Sequence, residues 1–165
     1  MVLLLLPVAV GACGSSGDET ATTTASPTTT IVGVSAGDEQ LIVDSWKHLS
    51  DASLGGPDAI VQSVADSQYP GTGYTADDCR IATFGGEDAP AGYMVEYVVD
   101  ESTIRLDPEW VIDAGSLSGV KPDGTTYAMS VRFITSYRDS PATTADVEVR
   151  VTILDGVVYH HPNCG

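Results

Sequence analysis

The residues that could carry chemistry in this chain are few, and the histidines come first. Histidine is the usual acid–base group and metal ligand near neutral pH, and two of the three histidines are adjacent, at His160 and His161. Adjacent residues on a strand point to opposite faces of a sheet, so this pair is not expected to hold one metal ion. We expect one packed ring and one exposed ring, and His48 is expected on the solvent face of a helix. A single histidine acting with a distant acid is the alternative.

Acidic side chains are the next candidates, because pairs of them stand in predicted loops at residues 77–78, 87–88 and 100–101. Calcium sites draw oxygen ligands from alternating positions of a loop. These runs lack that spacing, so no metal site is predicted.

Cofactor motifs are equally sparse. Residues 71–76 match the GxGxxA fingerprint, which binds a dinucleotide only where it follows a strand and opens a helix. Here it follows a predicted helix, and we interpret it as a loop. The chain contains no P-loop, HExxH or CxxC motif, so we predict neither a cofactor nor a catalytic residue.

Glu96 is the one acid inside an otherwise apolar stretch, next to Tyr97. Burial would raise its pKa and make it a candidate acid or base, whereas on the other face of its strand it would be exposed. The remaining candidates for a ligand pocket are large apolar side chains, which equally suit plain core packing. They are Trp46, Tyr97, Trp110, Met129 and Phe133.

Two helices are predicted to come first among the elements that position these residues. Asp38 is expected to cap a helix over 38–52, in which apolar residues recur at helical spacing. Two glycines at 55–56 break it, and Pro57 suits the first turn of a second helix that runs to about residue 67.

The period then changes to two, which predicts strands. We expect a short strand over 79–84, a strand pair over 93–100 and 103–112, and long strands over 127–137 and 146–154. Asp155 and Gly156 form a strong hairpin signal, and a last strand is expected over 157–160.

Helices followed by antiparallel strands predict an α+β domain over residues 38–165. This element order resembles the NTF2-like plan of the cystatin superfamily, which implies two N-terminal helices packed on a curved antiparallel sheet. In enzymes of that family, the resemblance implies a catalytic acid or base that projects from the sheet into a cavity. The apolar faces of the two longest predicted strands offer no Asp, Glu, His, Lys or Arg, which favours a binding module over an enzyme.

Charge narrows the choice of partners. The chain of 165 residues has 23 acidic and 7 basic side chains and a formal net charge of −16. Such a surface repels phosphate backbones and anionic lipid headgroups, so nucleic acid is not an expected partner. Contact with a membrane would have to be hydrophobic or covalent.

Residues 1–12 are apolar and end in small residues, as in a signal peptide, and they are too short to span a bilayer. No Lys or Arg precedes Lys47, which favours a true start upstream of Met1. Residues 10–13, Val-Gly-Ala-Cys, resemble a bacterial lipobox. The resemblance implies cleavage before Cys13 and lipidation of its sulfur, whereas an ordinary secretory signal is the alternative. The whole chain also resembles small lipoproteins of unassigned function from actinobacterial-type, high-GC genomes.

The segment that follows the lipobox is rich in Thr, Ser, Gly and Ala and has no apolar period. Residues 13–37 are therefore predicted to form a disordered tether. With Cys13 lipidated, Cys79 and Cys164 remain, and two cysteines in an exported domain are expected to pair. Two separate thiols are the alternative.

Together these patterns predict a lipoprotein that is exported and anchored at the outer face of the cell membrane. Its domain would be a non-enzymatic module of the cell envelope, binding an envelope protein or an apolar small molecule. The alternative is an extracytoplasmic NTF2-like enzyme, an isomerase or hydrolase that acts on a small apolar substrate with Glu96 or a histidine.

Overall fold

The structure is a computed structural model, and it describes residues 33–113, 115–161 and 164. The predicted signal peptide, Cys13 and most of the predicted tether lie outside the described residues. Within the described part of the chain, no helix is long and apolar enough to cross a membrane.

Three helices precede a curved four-stranded antiparallel sheet, which confirms the α+β class. The strands follow one another across the sheet in chain order, each antiparallel to the one before. The helices are α1 (Ala36–Ser53), α2 (Pro57–Asp66) and α3 (Ala76–Phe84). The strands are β1 (Met94–Leu106), β2 (Thr125–Tyr137), β3 (Ser140–Leu154) and β4 (Val157–His160), and a short 3-10 turn lies at Gly115–Leu117.

Helix α1 begins earlier than predicted, because its cap is Ser35 and not Asp38. The Ser35 hydroxyl accepts a hydrogen bond of 3.0 Å from the Asp38 backbone N–H, which satisfies one of the free amides of the first turn. Asp38 lies inside that turn, where its negative charge interacts favourably with the positive end of the helix dipole. Helix α2 begins at Pro57 as predicted.

Helix α3 replaces the predicted strand over 79–84, so that prediction is wrong. Thr75 and Asp78 form a reciprocal capping box at its start, and Gly85 ends it in the left-handed conformation with φ 67°. Both signals are present in the sequence, and they favour a helix over the β-like run between them because each satisfies backbone groups that the ends of a helix would otherwise leave free.

Strand β1 is continuous where two paired strands were predicted over 93–100 and 103–112. Its register against β2 shifts between Asp100 and Arg105, with Asp100 opposite Ser130 and Arg105 opposite Ala128. The Thr103 hydroxyl fills this bulge, since it accepts from the Ser130 backbone N–H at 2.8 Å and donates to the Asp100 carbonyl at 2.6 Å. The polar residues therefore bend one strand and do not turn the chain back.

Strand β3 begins at residue 140, earlier than the predicted 146, because it pairs with β2 along nearly its whole length. Its first half is exposed, and a segment with no buried face gives no period-two signal. The predicted hairpin at Asp155 and Gly156 is confirmed, with φ of 52° and 78° at the two positions.

The main core lies between α1 and the sheet. Its fully buried members come from both helices and strands, and they include Ile42, Leu49, Ile60, Val95, Tyr127, Met129, Val131 and Val151. Two hydrogen bonds fasten α1 across this core, one from the Tyr97 backbone N–H to the Ser50 hydroxyl at 2.9 Å and one from the Tyr127 hydroxyl to Asp38 at 2.6 Å. A smaller cluster of Val61, Cys79 and Cys164 holds α3.

Candidate functional site

A cavity of about 410 Å³ lies beside the main core. Its walls come from α1, α2, the C-terminal half of α3, the four strands and the segment around Trp110. Because nearly every element contributes, the cavity exists only when the helices are seated on the sheet. Its volume falls within the range of small-molecule sites.

Aromatic rings form much of the wall. Trp46, Tyr97 and Phe133 contact one another, with ring centroids 5.2 Å apart for Trp46 and Tyr97 and 5.0 Å apart for Tyr97 and Phe133. The second pair is edge to face, a favourable arrangement for aromatic quadrupoles. Burial raises the pKa of the Tyr97 phenol, with a further contribution from Tyr93, so the phenol stays neutral.

Four of the predicted pocket residues line this cavity: Trp46, Tyr97, Trp110 and Phe133. Met129 is instead fully buried in the main core. Glu96 is exposed, opposite Ile134 on β2, between two residues that do line the cavity, Val95 and Tyr97. Glu96 is therefore not a pocket residue. Side chains alternate between the two faces of a strand, so the neighbours of an inward-facing residue point outward.

His160 is the residue that sequence reasoning undervalued most. It is 1% exposed and lines the cavity, and its ring meets the Trp46 ring edge to face with centroids 4.3 Å apart. Burial, and secondarily the neighbouring His161, lowers the pKa of His160 to about 3. The ring is therefore neutral at physiological pH. Its alternation with Val158, which packs against the core, is the signal that could have placed it inward.

His161 was expected to be exposed if His160 was packed, yet it is half-buried and also lines the cavity. Its Nε2 lies 2.8 Å from the Thr152 hydroxyl, and its ring lies between Trp110 and Tyr69, at centroid distances of 4.5 and 5.5 Å. Burial lowers the pKa of His161 to about 4, although Asp113 opposes the shift. Strand alternation nevertheless holds, because His160 packs on Trp46 at the core side of the sheet and His161 lies on the other side with Thr152. His161 is covered there by Tyr69 and Trp110, which the sequence did not indicate.

Two buried side-chain polar atoms have no hydrogen-bond partner among the residues described. They are Nε1 of Trp46 and Nδ1 of His160, and both side chains line the cavity. Leaving a buried donor or acceptor unpaired costs about 1–3 kcal/mol.

The cavity also has a charged side. Arg150 bonds Asp107 at 3.1 Å and Glu148 at 2.8 Å. Arg105, and then Arg150, holds the pKa of the Glu148 carboxylate below its usual value. These charges already have partners, so they are not free to neutralise a charged ligand.

Cys79 and Cys164 form a disulfide, as predicted, with Cα atoms 4.3 Å apart. Cys164 is itself part of the cavity wall. The bond thus fastens the segment after β4 to α3, next to the site.

The described residues around the cavity do not form the nucleophile and base pair that covalent catalysis needs. The Thr152 hydroxyl contacts His161, yet Thr152 is fully buried and also bonds the Thr126 hydroxyl at 2.9 Å. Within the described ranges, no group of three His, Cys, Asp or Glu side chains is placed to hold a metal ion. The residues 33–37 match GxSxG, but the Ser35 hydroxyl caps α1, a role unlike that of a nucleophile on a strand-to-helix turn.

Comparison with protein-family models, with curated proteins and with solved structures finds no match to this chain.

Proposed function

We propose that this chain is an exported lipoprotein, anchored through Cys13 to the outer face of the cell membrane, whose folded domain binds a small apolar molecule without transforming it. The lipobox-like residues 10–13 support the anchor, and the cavity supports the binding. The domain is proposed to follow the NTF2-like plan, since its helices precede the sheet and cover one of its faces.

The observation that carries the binding proposal is a cavity of about 410 Å³ with aromatic walls. Ligand sites are typically apolar concavities with a few convergent polar groups. A domain that served only as a spacer would gain stability by filling this space, since empty volume in a core is costly.

An enzyme is the second candidate, an isomerase or hydrolase of the same fold acting on a small apolar substrate. The presence of His161 in the cavity wall, near Asp113, favours it. The non-enzymatic proposal is preferred because His161 is already bonded to Thr152, and the buried His160 and His161 both have low pKa values that make them weak bases. The alternative partner is a protein of the cell envelope, which would bind to the exposed surface of the domain.

The binding proposal is tested by native mass spectrometry of the full chain purified from membranes. We expect an added mass that solvent extraction removes. The variant Val149→Trp fills the cavity, because Val149 lines it, and it should purify without the added mass. A wild-type chain that carries nothing, and that takes up no apolar probe from solution, would contradict the proposal.

The anchor is tested separately by metabolic labelling with a clickable fatty acid. The wild-type chain should incorporate the label and partition with membranes, and Cys13→Ser should do neither. Equal labelling of the two chains would rule out lipidation at Cys13.

A further inference from the structure

The third strand of the sheet has a free edge beyond the point where the short fourth strand ends. Strand β4 pairs with β3 from Val151 to Leu154. The His161 backbone N–H then donates to the Arg150 carbonyl at 3.1 Å. No described residue pairs with the rest of this edge, residues 140–149, so there is room beside it for one more strand.

The backbone groups of every second residue point to this free edge. Along an antiparallel strand, the N–H and C=O groups of successive residues point alternately to the two neighbouring strands. Arg150 bonds on the β4 side, so Glu148, Asp146 and Thr144 direct their backbone groups to that side as well. The register against β2 is unbroken over residues 143–153, so the alternation does not slip. These three residues offer unpaired donors and acceptors to an added strand.

The cavity borders the same edge. Four consecutive residues of β3, at 147–150, line it. Successive side chains of a strand point to opposite faces, so one cavity meets all four only where it runs past the edge of the strand. Val147 lines it and is 38% exposed. An apolar side chain of an added strand would cover Val147.

We propose that the free edge of β3 binds an extended segment of another protein as a fifth strand of the sheet. The segment places apolar side chains over Val147 at alternate positions and basic side chains on the opposite face. In this mode of recognition, main-chain hydrogen bonds supply affinity and alternate side chains supply specificity. The interaction goes beyond the proposed binding of a small molecule and does not depend on it, because the backbone of the edge holds the segment.

The charge of the chain favours a basic segment over a second copy of the same chain. The formal net charge is −16, and Asp146 and Glu148 stand on the edge itself. Two copies paired edge to edge would bring these carboxylates close together, which is unfavourable. Asp113 lines the cavity and takes part in none of the ion pairs of the described residues. It is therefore placed to pair with a Lys or Arg of the segment.

Strand β3 also lacks the features that usually protect a sheet edge. Natural proteins disrupt edge pairing with lysines, prolines or bulges. The other outer strand, β1, has a shift of register between Asp100 and Arg105. Residues 143–149 of β3 contain no Lys, no Pro and no shift of register. This edge is therefore the one that suits a partner strand.

Fluorescence anisotropy with the full chain at pH 7 tests the proposal with labelled peptides as long as residues 143–149. The peptide VKVKVKV alternates apolar and basic residues, VVKKKVV has the same composition without the alternation, and VEVEVEV is acidic. We expect VKVKVKV to bind at least about tenfold more tightly than either of the others. Equal binding of VKVKVKV and VVKKKVV would show only a general attraction between charges and would overturn the proposal. Failure of VKVKVKV to bind would also overturn it.

Methylated amides test whether the backbone carries the interaction. The peptide VKVKVKV is made with N-methyl groups either on its lysines or on its valines, which blocks one of its two edges at a time. At least one of these peptides should bind about tenfold more weakly than the parent. Two methylated peptides that bind as tightly as the parent would overturn the proposal.

Thr144 provides a matched pair of variants on the edge. Thr144→Pro removes one outward N–H and places a ring on the edge, so it should weaken VKVKVKV about tenfold. Thr144→Val keeps the N–H and should leave the affinity unchanged. Circular dichroism checks that both variants fold, and the methylated peptides decide the question where Thr144→Pro does not. Equal affinities of the two folded variants would overturn the proposal.

Sedimentation of the full chain distinguishes a second copy from another protein. We expect a wild-type chain that does not dimerise through this edge. A wild-type dimer that Thr144→Pro dissociates would assign the edge to a second copy and overturn the proposal. None of these results changes the proposed binding of a small molecule, which native mass spectrometry tests separately.

Discussion

The disulfide between Cys79 and Cys164 joins α3 to the segment that follows β4, across a separation of 85 residues. Cys164 stands three positions after His161, and both residues line the cavity. The cavity wall at this end is therefore held by a covalent bond as well as by packing.

Removal of this bond should destabilise the domain strongly. In the chain-entropy treatment, a loop of this length makes the disulfide worth about 4.5 kcal/mol. We expect urea unfolding of the double variant Cys79→Ser, Cys164→Ser to show a lower free energy of unfolding by up to about that amount. Cys13→Ser is the matched control and should unfold as the wild type does. Alkylation of Cys79 and Cys164 in the native chain without reductant would show that the bond does not form.

Stability should fall as the pH falls below about 6.5. His160 and His161 have folded-state pKa values lowered to about 3 and about 4, whereas an unfolded histidine titrates near 6.5. The unfolded state therefore binds protons that the folded state does not, and each histidine removes about 1.4 kcal/mol per pH unit below pH 6.5 until its folded pKa is reached.

Urea unfolding at pH 7, 6 and 5 measures this slope. His161→Gln should make it shallower by up to about 1.4 kcal/mol per pH unit, because one of the two depressed histidines is gone. His48→Gln is the control, since His48 is exposed, and it should leave the slope unchanged. A wild-type chain with constant stability between pH 7 and 5 would contradict the placement of both rings.

Thr152 should be more important to stability than its size suggests. Its hydroxyl bonds Thr126 at 2.9 Å and His161 at 2.8 Å, in a fully buried position. Thr152→Val keeps the shape and leaves both partners unpaired, which should cost about 1–3 kcal/mol of unfolding free energy. Thr143→Val on the exposed half of the same strand should change stability by no more than about 0.5 kcal/mol. Equal effects of the two substitutions would refute the hydrogen-bond chain.

The bond from Tyr127 to Asp38 should help to seat α1. The hydroxyl lies 2.6 Å from a carboxylate oxygen, and hydrogen bonds to charged groups are worth about 1.5–3 kcal/mol. Tyr127→Phe should lower the thermal midpoint and weaken binding of an apolar probe, because α1 carries Trp46, which lines the cavity. Tyr137→Phe is the comparison, as no hydrogen bond of that hydroxyl is found among the described residues. No change in either measurement would argue against this role.

Glu96 separates the two candidate functions. Its side chain is exposed, on the face of β1 away from the cavity, so Glu96→Gln should leave ligand affinity unchanged. Val149→Trp, which fills the cavity, should abolish it. A loss of affinity in Glu96→Gln comparable to that of Val149→Trp would return Glu96 to the site and favour the enzyme.

Local signals in the sequence were sufficient for much of the fold. The apolar period of α1 and α2, the alternation along β2 and the Asp155-Gly156 turn each act within a few residues, so they can be read without tertiary contacts. The pairing of Cys79 with Cys164 was also predictable, since it was inferred from cysteine number and export. The capping box at Thr75 and Asp78 is an equally local signal of α3, and the prediction of a strand over 79–84 did not use it.

Tertiary structure alone decided the rest. The exposed half of β3 is a strand because β2 pairs with it, and no buried face marks it in the sequence. His160 and His161 are both covered although their rings lie on opposite faces of the sheet, because Trp46 packs on one ring and Trp110 on the other. Trp46 and His160 lie far apart in the chain, and only the seating of α1 against the sheet brings their rings into contact.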